Sequence, residues 1–165
     1  MHPAAPEEQH KWLQQLIGEW SYEGSMQTEE GESSCGSGTE TVRPLGELWV
    51  VAEGQGTMPG GAPANSLLTF GYDPQRGKFI GTWIGSMMTH LWVYDNGTLD
   101  AAGRVLSLEC DGPSFNDEER AQGKLARYRD AIELKSPDHR VLTASVRNSD
   151  GTWNTFMKTE YRRTK

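Results

Sequence analysis

Between Leu67 and Asp100 the chain reads as two consecutive hairpins, in which Gly71-Tyr72-Asp73-Pro74, Gly85-Ser86 and Asp95-Asn96-Gly97 punctuate apolar runs carrying Trp83 and Trp92. Short apolar runs separated by turn residues are the mark of sequential antiparallel strands, because tight turns can join only neighbours that run in opposite directions. The pattern rules out a helical bundle. No nucleophile elbow, phosphate loop or metal-ligand spacing interrupts it, so the sequence speaks of a container before it speaks of a reaction.

The rest of the chain extends the same pattern. Pro6 to Ile17 predicts one helix, with Glu7 and Glu8 at the positive end of its dipole and Gly18 as its stop. Trp12, Leu13, Leu16 and Ile17 share a face that must lie on something apolar, such as one end of a barrel. A first strand begins at Glu19, and the Gly- and Ser-rich stretch from Thr28 to Gly38 reads as a loop. Further strands are expected at Thr39–Leu45, Leu48–Gln55, Ser66–Tyr72, Lys78–Gly85, Met87–Tyr94, Thr98–Cys110 with a break at Gly103, Ala126–Leu134, Val141–Arg147 and Thr152–Arg162. Met58 to Pro63 cannot continue a ladder, and Asp111 to Gly123 reads as a long loop with one helical turn at Asn116–Ala121. About ten sequential strands favour closure, which removes exposed sheet edges. The fold class is therefore all-β: one domain over residues 1–165, a short N-terminal helix at 6–17 and an up-and-down antiparallel β-barrel at 19–163.

Composition narrows the partners. A length of 165 residues suits one core, and a net charge of −7 opposes binding to nucleic acid or anionic membrane. The only basic cluster is Arg162-Arg163 with Lys165, and no apolar run approaches the roughly 20 residues that span a bilayer. Cys35 and Cys110 lie far apart without a CxxC pattern, and the first residues carry no basic-apolar export signal. The expectation is a cytoplasmic protein with two free thiols.

Gly18-Glu19-Trp20, at the junction of helix and first strand, resembles the Gly-x-Trp start of lipocalins, fatty-acid-binding proteins and other calycin barrels. That resemblance implies a tryptophan closing the barrel base with a basic residue, here Arg162 or Arg163, packed across it. Gly71-Tyr72-Asp73, Thr82-Trp83-Ile84, Met87, Thr89 and Glu160-Tyr161-Arg162-Arg163 together resemble the bacterial domain-of-unknown-function family 1579, from the His10-Lys11-Trp12-Leu13 helix to Arg163. The resemblance implies a lipocalin-like barrel and no reaction. The family pattern places an Asp-Asn or Asp-Ser pair after the strand-five tryptophan, where this chain has Gly85-Ser86.

Strand parity selects candidate site residues. Phe79, Gly81, Trp83 and Gly85 share a face; Met87 and Thr89 share one on the next expected strand, opposite His90 and Trp92. Of these, Trp83, Met87, Thr89 and His90, with Trp20 and Tyr22, are the candidates to line a cavity for a small apolar or amphipathic organic ligand. Arg43, Glu109, Arg127, Arg129 and Glu133 are charged residues within expected strands, and Arg127, with Arg43, would give an inward polar contact. His90 could serve as a haem ligand, as in the similarly folded nitrobindins, but four scattered histidines assemble no structural metal site and no cofactor is called for. The competing reading is an enzyme using His90 or Glu109 as an acid or base. A third is an interaction protein whose outer Trp49 or Trp153 receives a partner, with a homodimer as one form.

Overall fold

The computed structural model describes residues 1–165. Helix α1 (Glu8–Leu13) runs into a 3-10 turn at Gln14–Leu16. Ten strands follow: β1 (Gly18–Thr28), β2 (Gly31–Leu45), β3 (Trp49–Thr57), β4 (Pro63–Asp73), β5 (Lys78–Gly85), β6 (Trp92–Leu99), β7 (Val105–Pro113), β8 (Leu125–Ser136), β9 (His139–Arg147) and β10 (Trp153–Arg163), with the short helix α2 (Asp117–Ala121) between β7 and β8. Each strand pairs antiparallel with its neighbours in sequence, and β1 pairs with β10, so the sheet closes as an up-and-down barrel.

The helix closes one end. His10 accepts the Glu7 backbone N–H at Nδ1 (2.9 Å) and donates from Nε2 to the Tyr72 carbonyl (3.1 Å), so one neutral imidazole both caps α1 and fastens it to β4. Trp12, Leu13 and Leu16 enter the core beside Trp20, which is 1% exposed and donates its indole N–H to the Leu16 carbonyl at 2.9 Å. Arg163, not Arg162, crosses the base. Its guanidinium lies 4.3 Å from the Trp20 ring centroid and donates to the carbonyls of Gln15 (2.8 Å), Ile17 (2.5 Å) and Pro137 (3.0 Å). Gly18 is required there: its φ is +146°, and a β-carbon would strike that guanidinium. Arg163→Ala is expected to lower the unfolding free energy by about 2 kcal/mol, measured by urea denaturation, whereas Arg162→Ala, on the exposed opposite face, should change it by less than about 0.5 kcal/mol.

Three boundaries differ from the sequence reading. The Gly/Ser-rich stretch is mostly strand: β2 begins at Gly31 and pairs with β1 from Thr28 back to Gly18 across a bulge at Gly24/Ser25. Small residues cost little here because the partner strand supplies the hydrogen bonds. The β5–β6 connection is a six-residue link, Ser86 to Leu91, rather than a tight turn, so β6 starts at Trp92. Asp95-Asn96 falls at a register shift within β6, and the true turn comes at Asp100–Arg104, where the Asp100 carboxylate accepts the backbone N–H groups of Arg104 (2.8 Å) and Val105 (3.1 Å).

Candidate functional site

The barrel interior is graded from one end to the other. Near the helix the inward residues Trp20, Val42, Val50, Phe70, Phe79, Leu106 and Ile132 are buried. Toward the opposite end, inward Tyr22, Trp83, Trp92, Asp130, Leu142, Val146, Met157 and Tyr161 are only partly buried although the barrel surrounds them. Water-sized space therefore reaches down that half of the lumen. One wall, from β1 to β4, presents Gly24, Gly38, Gly54, Gly56, Ala64 and Ser66; the other is aromatic. The glycines create the room for the rings: a β-carbon at Gly56 would meet the Tyr22 hydroxyl, one at Gly85 the Trp83 ring, and one at Gly112 the Trp92 ring. Trp83 and Trp92 face each other in register across β5 and β6, and Trp92 meets Tyr128 edge to face at 5.1 Å.

Polar groups collect at mid-depth. The Tyr94 hydroxyl donates to Asp130 Oδ2 at 2.5 Å, and Asp130 Oδ1 takes no hydrogen bond from the protein without being walled off. Burial pushes the Asp130 carboxyl up to about 6, offset in part by the Tyr94 hydrogen bond. Burial, and then the Asp130 charge, hold the Tyr94 hydroxyl well above its usual range; burial, and then Glu40, raise Tyr161; and burial pushes the Cys110 thiol up to about 12. Beside this group Glu40 on β2 and Arg140 on β9 form a buried ion pair across the barrel. The Arg140 guanidinium lies 3.9 Å from the Tyr161 ring centroid and 4.6 Å from that of Trp20, and its Nε has no partner. Tyr161 in turn packs on Tyr22 at 5.6 Å.

Of the residues nominated from sequence, Trp20, Tyr22 and Trp83 point inward, although Trp20 belongs to the packed base. Met87 sits in the β5–β6 link against Gly85, and Thr89 is exposed in the same link. His90 is also on that link, off any strand; it donates from Nε2 to the Asp111 carbonyl at 3.1 Å and stands edge-on to Trp92 at 4.9 Å. Arg43 and Arg127 face outward, contrary to their nomination. Arg43 pairs with Glu53 at 2.9 Å on the outer surface, and Arg127 is ringed by Asp95 (2.6 Å), Asp111 (3.3 Å) and Glu109 (3.7 Å). The Asp95 carboxylate, and then that of Asp111, consequently hold Arg127 firmly charged, and Arg127 holds Asp95 below the usual carboxylate range. Glu109, Arg129 and Glu133 share that outer face, Arg129 stacking on Trp153 at 4.4 Å. Neither acid–base candidate, His90 or Glu109, reaches the lumen. Among the inward polar side chains are Glu40, Tyr94, Asp130, Arg140, Thr159 and Tyr161, which are not among the sequence candidates, beside Tyr22, which is. The signal was present: if Arg127 and Arg129 face out, Tyr128, Asp130 and Ile132 face in.

Two surface cavities lie outside the lumen. One of about 430 Å³ lies outside the helix end among Ala4, Ala5, Pro6, Glu7, His10, Leu48, Trp49, Tyr72 and Pro74; the other, about 330 Å³, sits on the far rim between Asn65, Ser66, Leu67 and Ile84, Gly85, Ser86. No group of three or more His, Cys, Asp or Glu side chains is placed to hold a metal ion, and no helix is long and apolar enough to cross a membrane.

A ten-strand closed barrel, packed at a helix-plugged base and open to solvent at its other half, defines a lipocalin-like barrel. The chain belongs to the family described as Protein of unknown function (DUF1579), whose model matches residues 5–163. Among curated proteins none matches the sequence. Rv2717c from M. tuberculosis is similar in structure with a TM-score of 0.63 at 14% identity, covering 98% of this chain and all (100%) of that one. The S-type phycobiliprotein lyase CPES from Guillardia theta follows with a TM-score of 0.56 at 12% identity, covering 96% of this chain and 94% of that chain. A de novo designed fluorescence-activating β-barrel reaches a TM-score of 0.47 at 16% identity over 92% of this chain and 95% of its own. At these identities the likeness is one of fold.

Proposed function

We propose that the protein binds a small, largely apolar organic molecule in the half of the lumen away from the helix. The observation that carries this reading is the grading of the interior. A barrel stabilised only by its own core would bury both halves alike, whereas here Trp83, Trp92, Leu142, Val146, Met157 and Tyr161 stay reachable inside a closed sheet. Apolar walls with a few convergent polar groups are the usual make-up of such sites. The rim is consistent with passage of an apolar guest, since Met26, Met58, Met87, Met88, Leu91, Phe115 and Leu125 all stand exposed around that end and methionine adapts to varied shapes. One similar fold, a phycobiliprotein lyase, is in keeping with a barrel that handles an organic molecule.

The test is native mass spectrometry of protein purified from its own host. A retained small-molecule adduct is expected in the wild type and should be lost in Ala64→Trp, which places an indole on the small-residue wall. A wild-type protein that carries no adduct and binds no member of a hydrophobic metabolite mixture overturns the reading.

A further inference from the structure

Resting on that reading, we infer that the lumen is built for an organic cation: an amine or quaternary ammonium on an apolar body, with its charged head against Asp130 and its body between the tryptophans and the mouth. The charges inside the barrel lead there. Glu40 is neutralised by Arg140, and Arg163 is spent on the base beneath Trp20. Asp130 is the inward carboxylate without a cationic neighbour. Its one protein partner is a neutral hydroxyl, Tyr94, at 2.5 Å, and Oδ1 is left free toward the lumen.

A lone enclosed carboxylate is costly: it takes up a proton or it finds a positive charge. The protein supplies no cation at this site, which leaves that role to a ligand. The surroundings fit a cation as well. Tyr94, Tyr161 and Tyr22 bound the polar level and Trp83 and Trp92 the level above, and the faces of such rings attract cations by their quadrupole. An anionic guest would meet Asp130 unfavourably, and the guanidinium that could receive it, Arg140, is 2% exposed and already paired with Glu40.

The mouth agrees in sign. The β1–β2 turn contributes Glu29 and Glu30 with Glu32 beside them, and α2 opens on Asp117-Glu118-Glu119. The cations at that end are Lys124 and Arg147, Arg120, which pairs with Asp117, and on the outer wall Arg127, which pairs with Asp95 and Asp111, and Arg129, which stacks on Trp153. A negative rim over a low-dielectric cleft raises the local concentration of cations and speeds their arrival.

The experiment compares octylamine, 1-octanol and octanoate as probes of equal chain length, by tryptophan fluorescence and calorimetry. At about pH 8, where Asp130 is ionised and the amine protonated, octylamine should bind at least about tenfold more tightly than either other probe. In Asp130→Asn that preference should vanish while 1-octanol binding persists. At about pH 5, with Asp130 protonated, wild-type affinity for octylamine should drop toward that of the alcohol. Equal binding of all three probes, or a preference for octanoate, overturns the cation inference and leaves a ligand-binding lumen standing. Failure of every probe to bind the wild type counts against both.

Discussion

Glu40→Leu is expected to destabilise the protein by about 3–5 kcal/mol, the cost of leaving a buried charge without its partner. Arg140 is 2% exposed and Glu40 7%, and the guanidinium is clamped between the rings of Tyr161 and Trp20, so it has no path to water once the carboxylate is gone. The double variant Glu40→Leu/Arg140→Met should recover most of the loss, because an apolar pair of similar volume avoids the desolvation of both ions. Urea denaturation of the wild type and both variants decides the matter. A single-variant loss below about 1 kcal/mol would mean that the pair is screened by solvent, as exposed pairs are.

The second large effect concerns Asp130 and pH. Burial pushes its carboxyl up to about 6 in the folded protein, against about 3.9 for an aspartate in an unfolded chain, so between those limits the native state holds more of this proton than the unfolded chain does. Stability from this group is therefore complete below about pH 4 and is lost as pH rises through about 6, at roughly 1.4 kcal/mol per unit and about 3 kcal/mol in all. The groups that face Asp130 do not titrate in this window: Tyr94 on β6, Cys110 on β7 and Tyr161 on β10 are all pushed upward by burial. Asp95 and Glu160, held below the usual range by Arg127 and His139, act with the opposite sign and weaken the fold on acidification. The informative quantity is thus the difference between wild type and Asp130→Asn. Asparagine can still accept the Tyr94 hydrogen bond, so the variant should match the wild type near pH 4 and exceed it by about 2–3 kcal/mol at pH 7. A difference that stays flat from pH 4 to 8 in denaturant titrations would show that Asp130 ionises freely.

The strand count and the helix could be read from the residues because each rests on a local signal, turn chemistry or apolar periodicity, whereas the closed base followed from the resemblance of Gly18-Glu19-Trp20 to calycin barrels, which left Arg162 and Arg163 open. The interior was harder to read. Arg127 and Arg129 drew attention as charges on a strand, but period two gives a strand two faces and does not say which is the inner one. The assignment comes from neighbours: Leu108 and Cys110 on β7 and Ala144 and Val146 on β9 lie level with Asp130 and Tyr128 and turn that face inward. His90 was misplaced for a different reason. Asp95-Asn96-Gly97 has the composition of a hairpin turn, yet Gly97 lies within β6 opposite Phe79, where a β-carbon would meet the Phe79 backbone and side chain. The demand for a glycine was packing, and with the turn displaced the preceding strand was read too far upstream. Glu40 gives no local cue, since a lone acid on a strand looks the same whether it meets solvent or a partner 100 residues away.

The order of strands also bears on how the chain reaches this state. Nine of the ten ladders join consecutive strands and can form by hairpin steps, each closing a short loop. The tenth, β1 with β10, brings Trp20 opposite Arg163 and must close nearly the whole chain. The largest single loop-closure cost falls on that seam, and the same two residues that seal the base also fasten it. The half-open lumen exists only while that seam is buttoned at Trp20.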